Sequence, residues 1–289
     1  MMKIEKIIRK ANYWATPIYE HLPSLFFPER HLRFKAYGVG MGKTGTITLH
    51  IMFSKHYRTA HEPESRFLAN KFVAFAHDKI NKSDFIKYVK QRDRRLGLEM
   101  DVSYLNIHLL DILVNEFSNA KFILTIRDCY SWLDSGINHR LARPGFVEKR
   151  AWIRHLSDLR LGADRFKHAK EEKVLVDNGL YTLDGYFSWW KTHNTRVLST
   201  VPSERLLVVK TPELAQSIPQ IETFLGITPG SLPTSARGNV TTKKFNVLSQ
   251  IDKDFLEEKA NFHCKELMDK YFPEVKGYSN PVQNATESN

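Results

Sequence analysis

Cysteine is scarce in this chain of 289 residues, which contains only Cys129 and Cys264. Two cysteines so far apart make no disulfide framework and lack the close spacing of a metal site, so no metal is expected and a reducing, cytoplasmic setting is. Long apolar runs are missing as well, since none reaches the roughly 18 residues of a membrane span. The first residues interleave Ile4, Ile7, Ile8, Ala11 and Trp14 with lysine and arginine instead of forming the apolar core of a signal peptide. That stretch, residues 3–15, reads as a basic amphipathic helix docked on the surface. No Pro/Gly/Ser-rich linker interrupts the sequence, so residues 1–275 are expected to form one domain followed by a disordered tail at 276–289.

What is present points to a globular protein with a basic surface. The chain is 42% hydrophobic and 12% aromatic, enough for a large core, and 43 Lys+Arg against 32 Asp+Glu leave a net charge of +11. Such a charge suits anionic ligands. The basic residues are nevertheless spread along the chain and not gathered in one block with interleaved aromatics, so nucleic acid is not indicated as a partner.

Strand-like runs recur at 34–39, 57–60, 97–100, 121–126 and 205–209, and most intervals between them carry helical periodicity. This alternation predicts an α/β fold with a largely parallel sheet. The clearest helix is expected over 104–117, where Leu105, Leu109, Ile112, Leu113 and Phe117 share one face. Residues 146–201 read as two or three helices broken near Asp177–Gly179, a candidate lid and acceptor-side region. Thr211, Pro212 and Glu213 read as the capped start of a helix ending near Gly226, and a last helix is expected over 251–272.

The run from Phe34 to Leu49 is a short strand, a glycine-rich turn and a helix start in immediate succession. Gly40, Gly42 and Gly45 let backbone N–H groups turn inward, and the helix expected over 44–57 directs its positive end at the same point, where Lys43 adds a full charge. A Walker A loop ending in Gly42-Lys43-Thr44 would need glycine at Tyr37, so that motif fails. A dinucleotide fingerprint does match at Gly40, Gly42 and Gly45, with Glu62 placed where an acid would bind ribose. That reading, a NAD(P)-dependent oxidoreductase, has no use for Lys43 or for the hydroxyls of Thr44, Thr46 and Thr48. A second feature also asks for a more highly charged ligand. The strand at 121–126 ends in Arg127, and Ser135 follows eight residues later on the next helix, a clamp for a second phosphate.

With these two motifs in order, the chain resembles the sulfotransferases that use 3′-phosphoadenosine 5′-phosphosulfate. Lys43-Thr44-Gly45-Thr46-Ile47-Thr48 is similar to their first motif, and the Arg127 and Ser135 pair to their second. The segments from Lys121 to Ser135, from Trp190 to Val209 and from Phe224 to Ile227 are similar to soluble members, so the likeness spans residues 34–240. Cys129 stands where the family often has proline, and Ile47 replaces one hydroxyl of the loop.

The resemblance implies a three-layer P-loop-like fold and sulfuryl transfer to a hydroxyl or nitrogen of a small-molecule acceptor. It places Gly42, Lys43, Thr44, Gly45, Thr46, Ile47 and Thr48 around the 5′ side of the nucleotide, and Arg127 and Ser135 at its 3′-phosphate. Lys43 is the expected stabiliser of the leaving oxygen. For the base, Asp101, His61 and Glu62 qualify because they follow strands beside the loop, and His108 is disfavoured by its place within a helix. Trp132 is a packing residue or an adenine platform, and the basic segment 237–244 is a candidate closure over the nucleotide. An anionic glycan acceptor would suit the net charge, but a compact metabolite is preferred, and a homodimer is allowed. A non-catalytic binder of anionic polymers is the remaining alternative.

Overall fold

The computed structural model describes residues 31–145, 150–234 and 243–279. The expected helix at 3–15, most of the basic segment 237–244 and residues 280–289 of the tail lie outside them. Five parallel strands form one sheet: β1 (Ala36–Gly38), β2 (Thr59–His61), β3 (Met100–Val102), β4 (Lys121–Ile126) and β5 (Leu206–Lys210), in the order β2-β3-β1-β4-β5. Parallel neighbours need crossovers, and helices supply them on both faces, α2 (Ser65–Ala76) and α3 (Lys82–Leu96) between β2 and β3 among them.

Side-chain alternation divides the sheet residues between two cores. From β4, Ile123 joins Ala36, Met100, Val102, Leu207 and Val209 under α1 (Thr46–Phe53) and a later helix, Ile218–Leu225. Phe122 and Leu124 point the other way, with Tyr37, towards Leu109, Leu110 and Leu113 and towards Val197 of the long helix Leu183–Thr200. The strands therefore read as nearly unbroken apolar runs, as Phe122 to Ile126 does. Beside this sandwich, the long helix packs on α5 (Cys129–Leu141) and on the last helix, Lys253–Tyr271, around Phe187, Trp190 and Leu256.

The topology separates the competing readings of the glycine loop. In a dinucleotide fold the second strand pairs with the first. Here β3 lies between them, bonded to both, and Glu62 is one strand away from where a ribose-binding acid would sit. The chain leaves β1 towards β2 and β3, then crosses to β4 and β5, so a crevice opens beyond the carboxyl ends of β1 and β4.

Several elements are shorter than their sequence patterns. The helix read over 104–117 begins as a 3-10 turn, Asn106–Leu109, before α4 (Leu110–Glu116). Asn106 Nδ2 donates to the carbonyls of Gly38 and Asp101, both at 3.1 Å, which ties this turn to two strand ends. Thr211–Glu213 is a separate 3-10 turn, because the Thr211 hydroxyl is engaged elsewhere and does not cap a helix. The region after 150 forms the expected helices, α6 (Ala151–Leu161), α7 (Lys173–Asp177) and α8 (Leu183–Thr200). Its break falls at Asn178 and at Gly179, whose φ is +61°.

Candidate functional site

A cavity of about 1240 Å³ lies over the carboxyl ends of the strands and contains the glycine loop in its wall. The loop is cross-braced by β4, by the turn after β5 and by α5. Thr44 Oγ1 donates to the Met41 carbonyl at 2.7 Å and meets Thr125 Oγ1 of β4 at 2.8 Å, so this buried hydroxyl holds the loop and does not line the cavity. The Thr211 hydroxyl lies 2.8 Å from the Thr44 carbonyl and 3.0 Å from that of Ile126. Trp132 Nε1 donates to the Gly42 carbonyl at 3.0 Å, which gives that tryptophan a bracing role at the cavity wall.

Two glycines are required by close approach. A Cβ on Gly40 would press into Thr125 Oγ1 and lie 2.8 Å from the Thr125 carbonyl, and one on Gly45 (φ +90°) would strike Leu214. Lys43 adopts a left-handed conformation at φ 73°, which a lysine tolerates only where the surroundings enforce it. Gly42, Lys43, Gly45, Thr46, Ile47 and Thr48 line the cavity.

Across the cavity, Asp128 caps α5 by accepting from Ser131 N at 2.8 Å. Arg127 Nε donates to Ser131 Oγ at 2.8 Å, and the Arg127 carbonyl accepts from Trp190 Nε1 at 3.0 Å. Ser135 stands one turn beyond Ser131 and faces the same cavity with Arg127. The structure thus brings together the lysine, arginine and serine predicted from two distant motifs. Burial lowers the pKa of Lys43, and the charges of Arg127 and Arg143 lower it further. Burial also lowers that of Arg127. His139, whose Nδ1 lies 3.4 Å from Lys43 Nζ, is pushed down to about 4 by burial and by the charges of Lys43 and Arg143, so it is neutral at pH 7. Positive groups crowded at partial burial are relieved by an anion.

The other wall begins at the end of β2. His61 Nε2 lies 3.1 Å from Thr46 Oγ1 and 3.9 Å from Glu62 Oε1, and both His61 and Glu62 line the cavity. Glu62 and Glu64 have left-handed backbones, at φ 52° and 54°. Asp101 is placed differently from its sequence reading. The strand extends to Val102, two residues past its predicted end, so Asp101 is a mid-strand residue and not a strand-end one. It is buried, outside the cavity lining, and its Oδ2 accepts from Arg92 Nη1 at 2.9 Å. Burial works against the charge of Arg92, but Asp101 and Glu64 outweigh it and raise the guanidinium pKa.

The remaining wall comes from the region 146–201, whose α6 and α8 meet Tyr104, and no local motif singles out the side chains that face the cavity there. Arg160 Nε and Nη2 both donate to His108 Nε2, at 3.0 and 2.7 Å, with the guanidinium over the rings of Tyr104 and Trp189. His108 is therefore neutral, its pKa lowered by burial and by Arg160. His193 also lines this wall. Its Nε2 donates to the Val39 carbonyl at 2.8 Å, which leaves Nδ1 as a buried acceptor without a hydrogen-bond partner. At the far rim Lys244, from the basic segment, pairs with Asp134 at 2.6 Å.

Comparison with known proteins agrees with this geometry. The sulfotransferase domain family matches residues 35–233. Among solved structures, the sulfotransferase STF9 from Mycobacterium avium is similar at 12% identity with a TM-score of 0.51, covering 89% of this chain and 81% of that one. A sulfotransferase from Alicyclobacillus acidocaldarius aligns at 16% identity over 85% of this chain and 94% of its own, with a TM-score of 0.40. No curated protein matches the chain. The STF9 likeness supports the three-layer, P-loop-like fold. Because the family match takes in the glycine loop, all five strands and the helix that carries Ser135, the chain belongs to the sulfotransferase domain family.

Proposed function

We propose that the protein transfers a sulfuryl group from 3′-phosphoadenosine 5′-phosphosulfate to a hydroxyl or amine of a small-molecule acceptor. The observation that carries this reading is that Lys43 and Arg127 face one cavity closely enough for Arg127 to disfavour the lysine's charge. A ligand with two separate phosphate groups suits both. The volume of about 1240 Å³ leaves room for a nucleotide and a compact acceptor.

In the transfer, the sulfur–oxygen bond to the phosphate breaks, a bond from sulfur to the acceptor forms, and the acceptor proton leaves to a base. Lys43 and the inward N–H groups of the loop stabilise the charge gathering on the leaving phosphate oxygen. Arg127 and Ser135 hold the 3′-phosphate. His61 and Glu62 are the proton acceptors we favour over Asp101, since both line the cavity beside Thr46 and Asp101 is held by Arg92.

The test is a titration with 3′,5′-adenosine bisphosphate alongside ATP, NAD and NADP. Selective binding of the bisphosphate is expected, weakened about tenfold or more in Arg127→Ala through loss of a charge-assisted phosphate contact. Tighter binding of NAD or NADP, or indifference to Arg127→Ala, would remove this reading.

A further inference from the structure

Arg160 is a half-buried cation whose hydrogen-bonding neighbours, His108 and Tyr104, are neutral. Its Nε and Nη2 share a single acceptor, the Nε2 lone pair of His108. The Tyr104 and Trp189 rings flank the guanidinium, with centroids 4.7 and 5.4 Å from Cζ. Burial lowers its pKa to about 10, although Tyr104 and Glu62 favour the charge. Among the described residues no carboxylate lies within ion-pair distance of it, whereas other arginines are paired, Arg92 with Asp101 at 2.9 Å and Arg95 with Glu64 at 2.6 Å. Burying a guanidinium without a paired anion is unfavourable, and a fold that keeps one at a cavity wall has it ready for an anionic ligand.

The orientation narrows the ligand. His108 occupies the Nε–Nη2 edge and Tyr104 is a second, neutral hydrogen-bonding neighbour of the guanidinium, so the Nη1–Nη2 edge is the one we assign to a ligand in the cavity. Two parallel N–H groups match the two oxygens of one carboxylate. A dianionic phosphate calls for more than one cation, as at the nucleotide end, where Lys43, Arg127 and Arg143 act together. The nearby wall also includes Phe67, Trp152 and Tyr186, which favour a flat or apolar body attached to the acid.

We propose that the acceptor is a carboxylic acid with an aromatic or other compact apolar body, and that Arg160 binds its carboxylate through the Nη1–Nη2 edge. Resting on the sulfotransferase reading of the cavity, the inference supplies the acceptor class that this reading leaves open. Arg160 sets which acceptor is held, while Lys43 and Arg127 hold the nucleotide. The carboxylate thereby fixes the end of the acceptor remote from the nucleophilic hydroxyl or amine.

The experiment compares 4-hydroxybenzoate with its neutral isostere 4-hydroxybenzamide, and with 4-hydroxyphenyl phosphate, by calorimetric titration of the full chain with and without 3′,5′-adenosine bisphosphate. Wild type should bind the carboxylate about tenfold or more tightly than the amide and prefer it to the phosphate. Arg160→Gln should erase the difference between acid and amide, Arg160→Lys should restore part of it, and both variants should keep bisphosphate affinity. Equal binding of acid and amide by wild type, preference for the phosphate, or a preference retained in Arg160→Gln would overturn the proposal. The wild-type comparison needs no variant to fold. Because the acid and amide are compared by binding, failure of the bisphosphate to bind would overturn the donor assignment without deciding the carboxylate comparison.

Discussion

With the proposed nucleotide at the glycine loop and the proposed acceptor at the opposite wall, the two halves of the cavity are built in different ways. The nucleotide half is mostly backbone, a nine-residue stretch from Val39 to Ile47 clamped by Thr125, Trp132 and Thr211 through hydrogen bonds of 2.8 to 3.0 Å. The acceptor half is mostly long side chains, with Arg160, Trp189 and His193 carried by α6 and α8 to meet Tyr104 and His108. A clamped backbone presents a fixed array of donors, which is what an invariant donor molecule demands. Side chains from separate helices change contour by single substitutions, which is what selection among acceptors demands.

The strongest way to break this contrast is to remove the side chain placed at the leaving phosphate oxygen. Lys43→Ala should lower kcat by about 10²- to 10³-fold, the loss typical of one preorganised donor, and steady-state kinetics would show it. The acceptor preference set by Arg160 should persist in that variant, since the two groups serve opposite ends of the reaction. A merged site would instead lose both together.

A smaller effect separates backbone from side chain. Gly40→Ala places a methyl against Thr125, and should destabilise the protein by about 1–3 kcal/mol through overpacking. Denaturant unfolding reads the stability, and bisphosphate titration should show a parallel loss of affinity because the same brace shapes the loop. Unchanged affinity would mean that the Thr44–Thr125 contact does not position the loop.

A pH-dependent effect sharpens the acceptor side. His193 is held at about 3, chiefly by burial, against about 6.5 in an unfolded chain. Between these values the unfolded state binds more protons, so stability is full above about pH 6.5 and falls as pH drops towards 3, by up to about 1.4 kcal/mol per pH unit. His193→Gln should flatten that part of the dependence in thermal melts recorded from pH 7 to pH 4. An unaltered slope would assign the acid sensitivity to other groups, such as His139, held at about 4.

The places where sequence and structure parted share a cause. Asp101 looked like a strand-end residue because the apolar pattern ended at Met100, yet pairing with β1 carries the strand to Val102 and turns Asp101 towards Arg92. Thr44 looked like a ligand because its hydroxyl belongs to a phosphate motif, yet Thr125, distant in sequence, claims it. Thr211 read as a cap and proved to be a brace. In each case a partner far along the chain decided the direction of a side chain.

By itself, the sequence determined the parallel α/β alternation, the glycine loop with Lys43, and the Arg127 and Ser135 pair, because each is written in contiguous residues whose spacing matches a local geometry. The same glycine spacing also fitted a dinucleotide fold, and only the order β2-β3-β1-β4-β5 removed that alternative. Within the region read over 146–201, the side chains that form the proposed acceptor wall were decided by tertiary structure. Arg160 and His108 are separated by 52 residues and meet because the apolar faces of α6 and α8 pack against the turn after β3. No local pattern records that meeting, since the hydrophobic effect specifies which faces are buried but not which polar side chains are brought together at the edges of the buried surface.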